Sequence, residues 1–193
     1  PTACGGGFGG KLDMSVQPLI GLAAWLFNRP VACVYQRPES MASTTKRHPA
    51  NIKVRFGADA QGKLQFAESD SIFNTGAYAS WGPTVANRVP VHATGPYFVP
   101  NARTSGKAIF THNLPAGAFR GFGVPQSTLL GERLIDELAE RCGIDALEFR
   151  HRNALRAGDT TGTGQVLAAS VGLRACLDVL RPAWQTARAA AQA

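Results

Sequence analysis

Two glycine clusters constrain this chain more than any other feature. The first is Gly5-Gly6-Gly7-Phe8-Gly9-Gly10-Lys11. The second is Gly117-Ala118-Phe119-Arg120-Gly121-Phe122-Gly123-Val124-Pro125-Gln126. Each precedes a segment with helical patterning. Glycine has no Cβ, so a glycine-rich backbone can approach a ligand closely and aim its N–H groups at it. A helix N-terminus adds unpaired donors and a partial positive charge. Brought together, two such loops make a cradle for an anionic cofactor.

At 193 residues with 45% hydrophobic and 17% charged content, the chain has enough apolar surface for one sizeable core or two small ones. Its net charge of +7 suits an anionic partner. The cations are scattered, and the nearest approach to a cluster is Lys46-Arg47-His48. Without a basic run interleaved with aromatics, no nucleic-acid partner is expected. Cys4, Cys33, Cys142 and Cys176 are far apart and form no C-x-x-C pair, so no direct metal ligation is expected. They are expected to be reduced, buried thiols of a cytoplasmic protein, with the periplasm as the alternative for the parent. The longest apolar run, residues 19–27, is well short of the ~20 residues that span a bilayer, so no membrane partner is expected. The first residue falls inside a motif-bearing segment and the last residues form an Ala/Arg-rich stretch. Both suggest a piece of something longer.

The patterning predicts a buried helix over 12–28, ended by Pro30, and a short strand over 31–36. Residues 38–49 are polar and hold a turn or short helix. Alternation over 51–56 and 64–72, separated by Asp59-Ala60-Gln61-Gly62-Lys63, predicts an antiparallel hairpin. The stretch 74–100 is too long for a simple loop, so a short helix is expected near 85–91. A strand follows over 104–112. A helix over 126–142 carries Leu129, Leu130, Leu134, Ile135, Leu138 and Ala139 on one stripe, with Gly143 as its stop. A second helix over 145–154 begins with an Asp cap. A polar turn spans 158–164 and a last helix 173–180. The sum is an α+β fold, a mixed sheet with packed helices.

The first loop fails two familiar tests. It lacks the spacing and Ser/Thr of a phosphate-binding P-loop, and no acid follows about 20 residues on, as a dinucleotide fingerprint requires. A flexible tail or a helix-capping turn accounts for the pattern; close approach of the Phe8, Gly9 and Gly10 backbone to a ligand is the functional alternative. In the second loop Arg120 is suited to hold a phosphate or carboxylate, by guanidinium or by its N–H. A salt-bridged turn residue is the plainer alternative.

Together the two loops resemble the molybdenum-binding subunit of the molybdenum hydroxylases, the xanthine dehydrogenase and aldehyde oxidoreductase group. The similarity runs over about residues 3–180. Asn28-Arg29-Pro30-Val31 resembles the family's GRPV with Asn for Gly, and Arg47-His48-Pro49 its R-x-P element. The segment Tyr97-Phe98-Val99-Pro100-Asn101 continues to Gly106 much as the family's Y-x-I-P-N-x-R-x-x-G does. Gly158-Asp159-Thr160 with Thr163-Gly164-Gln165 is similar to PGDTNPTGQ.

The resemblance implies a fold of the molybdenum-cofactor-binding-domain type. Residues 1–100 would belong to a first cofactor-binding half, 101–182 would start a second, and 183–193 would be a helical or disordered tail. It implies molybdopterin, as the cytosine dinucleotide, held by Gly7, Phe8, Gly9 and Gly10 and by Ala118, Phe119, Arg120 and Gly121. Leu12, Arg88 and Phe122 would line the substrate pocket. Leu12 stands where purine-oxidising members carry Glu, which favours an aldehyde or uncharged N-heterocycle. Arg88 falls where those members orient substrate; a structural arginine is the alternative. The family's general base is a Glu in a G-x-G-E segment, and none occurs in this sequence. Glu132, Glu137, Glu140 and Glu148 instead fall on predicted helices as solvent-facing or ion-pairing groups. The chain is therefore expected to carry no catalytic residue and to be inactive alone. Its partners would be the rest of the large subunit, with [2Fe-2S] and flavin (FAD) groups on other domains or subunits, and self-association through apolar surface. A non-catalytic anion-binding or assembly module of the same fold is the alternative.

Overall fold

The computed structural model describes residues 3–192, the last of these in its backbone alone. Among the described residues the elements in chain order are α1 (Gln17–Phe27), α2 (Arg37–Ser43), β1 (Ala50–Ala58), β2 (Leu64–Gly76), α3 (Gly82–His92), β3 (Asn101–Phe110), α4 (Val124–Arg141), α5 (Ala146–Asn153) and α6 (Leu173–Gln192). No helix of the described residues is long and apolar enough to cross a membrane.

The strands form one sheet in the order β1-β2-β3. Their contacts set the directions. Between β1 and β2, Arg55 bonds Glu68 and the Asn74 N–H reaches the Pro49 carbonyl, so one index rises as the other falls. That pair is antiparallel, joined by the predicted turn: the Asp59 carboxylate accepts from the Gln61 and Lys63 N–H groups at 3.0 and 2.8 Å. Gly62 has φ +71, and a Cβ there would lie 2.4 Å from Ile144 Cδ1, so the turn requires glycine. Between β2 and β3, Asn101 bonds the Gln65 carbonyl, Ser105 bonds Asp70, and Thr111 bonds Asn74. Here the indices climb together, so the pair is parallel and the sheet is mixed. A parallel pair needs a crossover of a dozen or more residues, and α3 with its flanks fills that stretch.

The chain divides into two compact units. The first takes residues up to Asn51, then Ile72–Arg88 and Gly106–Gly123. The second takes Ile52–Ser71, Val89–Ser105 and everything from Val124 on. In the first unit Phe73, Val85, Ala86, Ala116 and Ala118 are buried. The core of the second is Leu64, Ala67, Tyr97, Val99, Ile135, Ala139 and Phe149. Buried Asn153 ties α5 to the hairpin turn: it accepts from the Leu64 N–H and donates to the Gly62 carbonyl. Arg150 pairs with Glu132 at 2.9 Å and Asp136 at 2.7 Å, and the Tyr97 hydroxyl donates to Glu132. Glu137 pairs with Arg133, and Glu148 with Arg152 and Arg181, so three of the four carboxylates named above are ion-paired.

Several expectations are corrected. α1 begins at Gln17, five residues late, and buries none of its residues: Leu19, Trp25, Leu26 and Phe27 are all at least 62% exposed. Apolar composition on every face signals a covered helix, but nothing among the described residues supplies the cover. Asn28 ends it at φ 48°, a left-handed conformation that Asn adopts more readily than most residues, which accounts for Asn in the glycine position of the motif. Residues 31–36 are not a strand; Val31 and Val34 are exposed and no ladder receives them. Leu129 is 72% exposed because the buried stripe of α4 runs through Ser127, Ile135 and Ala139. The cysteines are unpaired but not buried: Cys4, Cys33 and Cys176 are exposed and Cys142 is intermediate. The last helix passes Pro182 and continues to Gln192. Beyond that proline, Trp184 Nε1 donates to Asp145 at 2.9 Å and Arg188 pairs with the same carboxylate, which holds the extended helix to the start of α5.

Asp145 thus serves three roles. It caps α5 through the Leu147 and Glu148 N–H groups, and it receives Trp184 and Arg188. Burial alone would raise its carboxyl pKa, but these donors outweigh burial and hold it below the usual carboxylate range. A depressed folded-state pKa contributes stability that is present above about pH 4 and fades as pH falls through the folded value. Asp145→Ala should cost about 0.5–2 kcal/mol from the cap alone. Asp145→Asn, measured by thermal melting between pH 7 and pH 3, should show a shallower loss on acidification than the native chain. Equal acid sensitivity in the two would refute the assignment.

Candidate functional site

Both glycine loops lie in the first unit, and they meet. Gly9 sits at φ +92, and a Cβ there would be 2.8 Å from the Ala118 carbon and oxygen and 2.9 Å from the Phe119 nitrogen. The backbones are packed as closely as glycine permits. Each loop also holds a phenylalanine in the left-handed region, Phe8 at φ 50° and Phe122 at φ 52°. Such residues are uncommon outside glycine and cost on the order of 1–2 kcal/mol each. Gly121, Phe122 and Gly123 form an unbroken left-handed run directly before α4.

The hydrogen bonds show which amides remain available. In the first loop the Gly10 N–H closes onto the Gly7 carbonyl at 2.9 Å and the Leu12 N–H onto Gly9 at 3.3 Å. Gly10 therefore shapes the turn rather than presenting a donor, while the Phe8 and Gly9 N–H groups have no protein acceptor among the described residues. In the second loop the Phe122 N–H bonds the Phe119 carbonyl at 2.7 Å, and the Gly117 N–H bonds the Lys46 carbonyl at 3.0 Å. Between them, the N–H groups of Ala118, Phe119, Arg120 and Gly121 have no protein acceptor among the described residues. The Arg120 guanidinium is exposed and likewise unpaired there. α1 adds no helix N-terminus to the first loop, because the turn through residues 8–13 separates the two.

The Lys46-Arg47-His48 run proves to be a strut rather than a basic patch. Lys46 bridges to Ala116, and its Nζ donates to the Ser40 and Thr44 carbonyls behind α2; burial and nearby Arg37 lower its pKa. His48 is buried against Thr75 Oγ1 at 3.1 Å, and burial lowers its pKa too. Arg47 donates to the Arg120 carbonyl at 2.6 Å, and its guanidinium carbon lies 4.6 Å from the centre of the Phe119 ring. The sequence placed Arg47 in a motif but did not reveal this contact, which spans 73 positions. Asp13 and Ser80 were missed altogether. The Ser80 hydroxyl donates to the Asp13 carboxylate, and a Cβ on Gly117 would lie under 3.0 Å from Asp13, Thr45 and Ser80.

Of the expected pocket residues, Arg88 and Phe122 come to the second loop. A Cβ on Gly123 would lie 3.1 Å from Arg88 Cβ, and the Phe122 ring packs edge-on against Trp81 at 6.0 Å. Leu12 belongs to the first loop and is 56% exposed. No cluster of His, Cys, Asp or Glu able to hold a metal occurs among the described residues.

Adjoining glycine turns with a row of amide donors that have no protein acceptor among the described residues have the chemistry to receive an anion. A family model for the molybdopterin cofactor-binding domain matches residues 1–154. The chain is 45% identical over 177 residues to the nicotinate dehydrogenase large molybdopterin subunit of Eubacterium barkeri, covering 92% of this chain and 42% of that one. It is 42% identical over 175 residues to a probable xanthine dehydrogenase subunit of Bacillus subtilis, covering 86% and 24%. The solved aldehyde oxidoreductase from Desulfovibrio gigas superposes with a TM-score of 0.90 at 38% identity, covering 97% of this chain and 21% of that one. The chain belongs to the molybdopterin cofactor-binding domain family. It spans less than half the length of each of these relatives.

The packing at Gly9 generates a contrast. Gly9→Ala places a methyl group in a left-handed backbone, at about 1–2 kcal/mol, and forces an overlap costing about 1–3 kcal/mol more. Gly5→Ala meets nothing within 4 Å. Thermal melts should show G9A clearly destabilised and G5A near native; equal melting temperatures would contradict the contact.

Proposed function

We propose that the two loops hold the pterin of a molybdopterin cofactor, and that this chain is the cofactor-binding portion of a molybdenum-dependent oxidoreductase. The observation that carries this is the row of amides at Ala118, Phe119, Arg120 and Gly121, which have no protein acceptor among the described residues, with the Phe8 and Gly9 amides on the adjoining loop. Gly7 and Gly10 close the first turn so that Phe8 and Gly9 are presented. Arg120 supplies an exposed positive charge on the second loop. When bound, the molybdenum cofactor supplies the redox chemistry by which the family hydroxylates an aldehyde or N-heterocycle carbon with oxygen from water.

In this reading Leu12, Arg88 and Phe122 line the substrate pocket. Phe122 offers a ring edge-packed on Trp81 as a wall for a flat substrate. Leu12 brings no charge, which favours an aldehyde or uncharged heterocycle. The general base comes from outside the chain. The cofactor is the cytosine dinucleotide form, and [2Fe-2S] and FAD groups belong to other domains or subunits. The rest of the large subunit covers α1, whose exposed Leu19, Leu22, Trp25 and Phe27 make a surface that water tolerates poorly. Without that cover, self-association through this face is expected. The parent works in the cytoplasm or periplasm.

Molybdenum and pterin analysis of the subunit that contains this chain tests the proposal. About one molybdenum per chain is expected. Arg120→Ala should weaken cofactor retention by about tenfold or more, the scale of a hydrogen bond to a charged group. A folded subunit devoid of both molybdenum and pterin would favour the non-catalytic module instead.

A further inference from the structure

The second loop has a soft joint. The peptide between Arg120 and Gly121 precedes a glycine at φ 88°, and the Arg120 side chain has no partner among the described residues to anchor it. A planar trans peptide points its C=O and the following N–H in opposite directions. If this peptide flips, it presents a carbonyl oxygen where the Gly121 N–H otherwise stands, and an anion meets repulsion in place of a donor. Something must fix its sense.

We propose that Arg47 is the positioning residue that does so: by holding the Arg120 carbonyl it turns the Gly121 amide outward, toward the bound anion. This rests on the cofactor reading above. A guanidinium carries donors only, so it binds a carbonyl at 2.6 Å but repels the N–H that a flip would bring. The contact is directional, not merely adhesive. Stacking over the Phe119 ring at 4.6 Å sets the plane of the guanidinium. The neighbours of Arg47 hold its backbone: Lys46 bridges Ala116 and accepts the Gly117 N–H, while His48 is buried on Thr75. The remaining carbonyl of the turn, on Phe119, is taken by the Phe122 N–H, which turns the Arg120 amide away from the turn interior. Two carbonyls are thus tied back and their following amides are turned out. A lysine at position 47 keeps the charge and can still donate to the carbonyl but loses the planar stack.

The test uses the full-length subunit carrying Arg47→Gln or Arg47→Lys, prepared with and without cofactor. Molybdenum and pterin content is read beside peptide-level amide exchange. R47Q should retain at least about tenfold less molybdenum and pterin than native, with R47K between the two. In cofactor-free protein, exchange in the peptide over residues 117–123 should accelerate in R47Q while that of α4 stays at the native rate. Should R47Q not fold, R47K carries the same comparison. Native cofactor content in R47Q, or exchange that rises equally along the whole chain, overturns the proposal and leaves Arg47 an ordinary stabilising contact. A native subunit empty of molybdenum and pterin defeats the cofactor reading instead; the exchange comparison then still decides whether Arg47 orders the loop.

Discussion

The contact of Gly9 with the Ala118–Phe119 peptide is the constraint on which the first unit depends. It admits no side chain, since a Cβ would fall 2.8 Å from main-chain atoms. Main chain against main chain leaves only the neighbouring geometry to adjust. That accounts for the left-handed phenylalanines on both loops and for three successive positive φ values before α4. It also accounts for Ala118 being fully buried while Phe119 and Arg120, one step on, are exposed. The surrounding scaffold serves to hold this pair of turns. β2 delivers Thr75, whose carbonyl accepts the Ala116 N–H, and the 46–48 strut fixes the next peptide.

Left-handed aromatic residues are costly, and a surface turn with no task would have relaxed them. Phe8 is 65% exposed and Phe122 only half-buried, so neither is held in place by burial in a core. Their conformation follows from the path of the backbone, and along that path six amides have no protein acceptor among the described residues. Amides without a protein acceptor among the described residues and left-handed phenylalanines occur on the same two loops, which supports the cofactor reading proposed above.

What was legible in the sequence follows from the range of the physics involved. Turns and caps are local, so the Asp59–Lys63 turn, the Asp145 cap and the Gly143 stop could be read residue by residue. The meeting of the loops was legible from the two glycine clusters taken together with the family resemblance, since either cluster alone also fits an ordinary turn. The contact made by Arg47 was not legible, because its partner lies 73 positions away and nothing in its own neighbourhood announces it. α1 misled for a related reason. Its composition demands cover, but a sequence cannot say whether the cover comes from the same stretch of chain. Residues 31–36 carry strand-forming side chains, but β propensity is realised only when a neighbour offers a ladder. The last helix was expected over 173–180, and Pro182, whose missing N–H weakens a helix locally, lies inside the longer helix. Trp184 and Arg188, reaching back to Asp145, hold the helix beyond it.

Recognition through main-chain amides has its own sequence logic. A donor on the backbone is present whatever the side chain, so Ala118 or Phe119 can vary in chemistry without removing one. What cannot vary is the path, and the path belongs to glycines and to whatever pins the carbonyls. Charge arranged this way is also economical. The chain carries net +7, but its nearest thing to a basic cluster, Lys46 to His48, is spent on carbonyls and on a buried contact rather than offered to solvent. In the cofactor reading proposed above, the attraction for an anion comes from the oriented main-chain dipoles of the two loops, which act at short range and only in one geometry. Such a site discriminates by shape more than by charge, since a small anion can satisfy only a few of the donors while an extended, multiply accepting one engages the whole row.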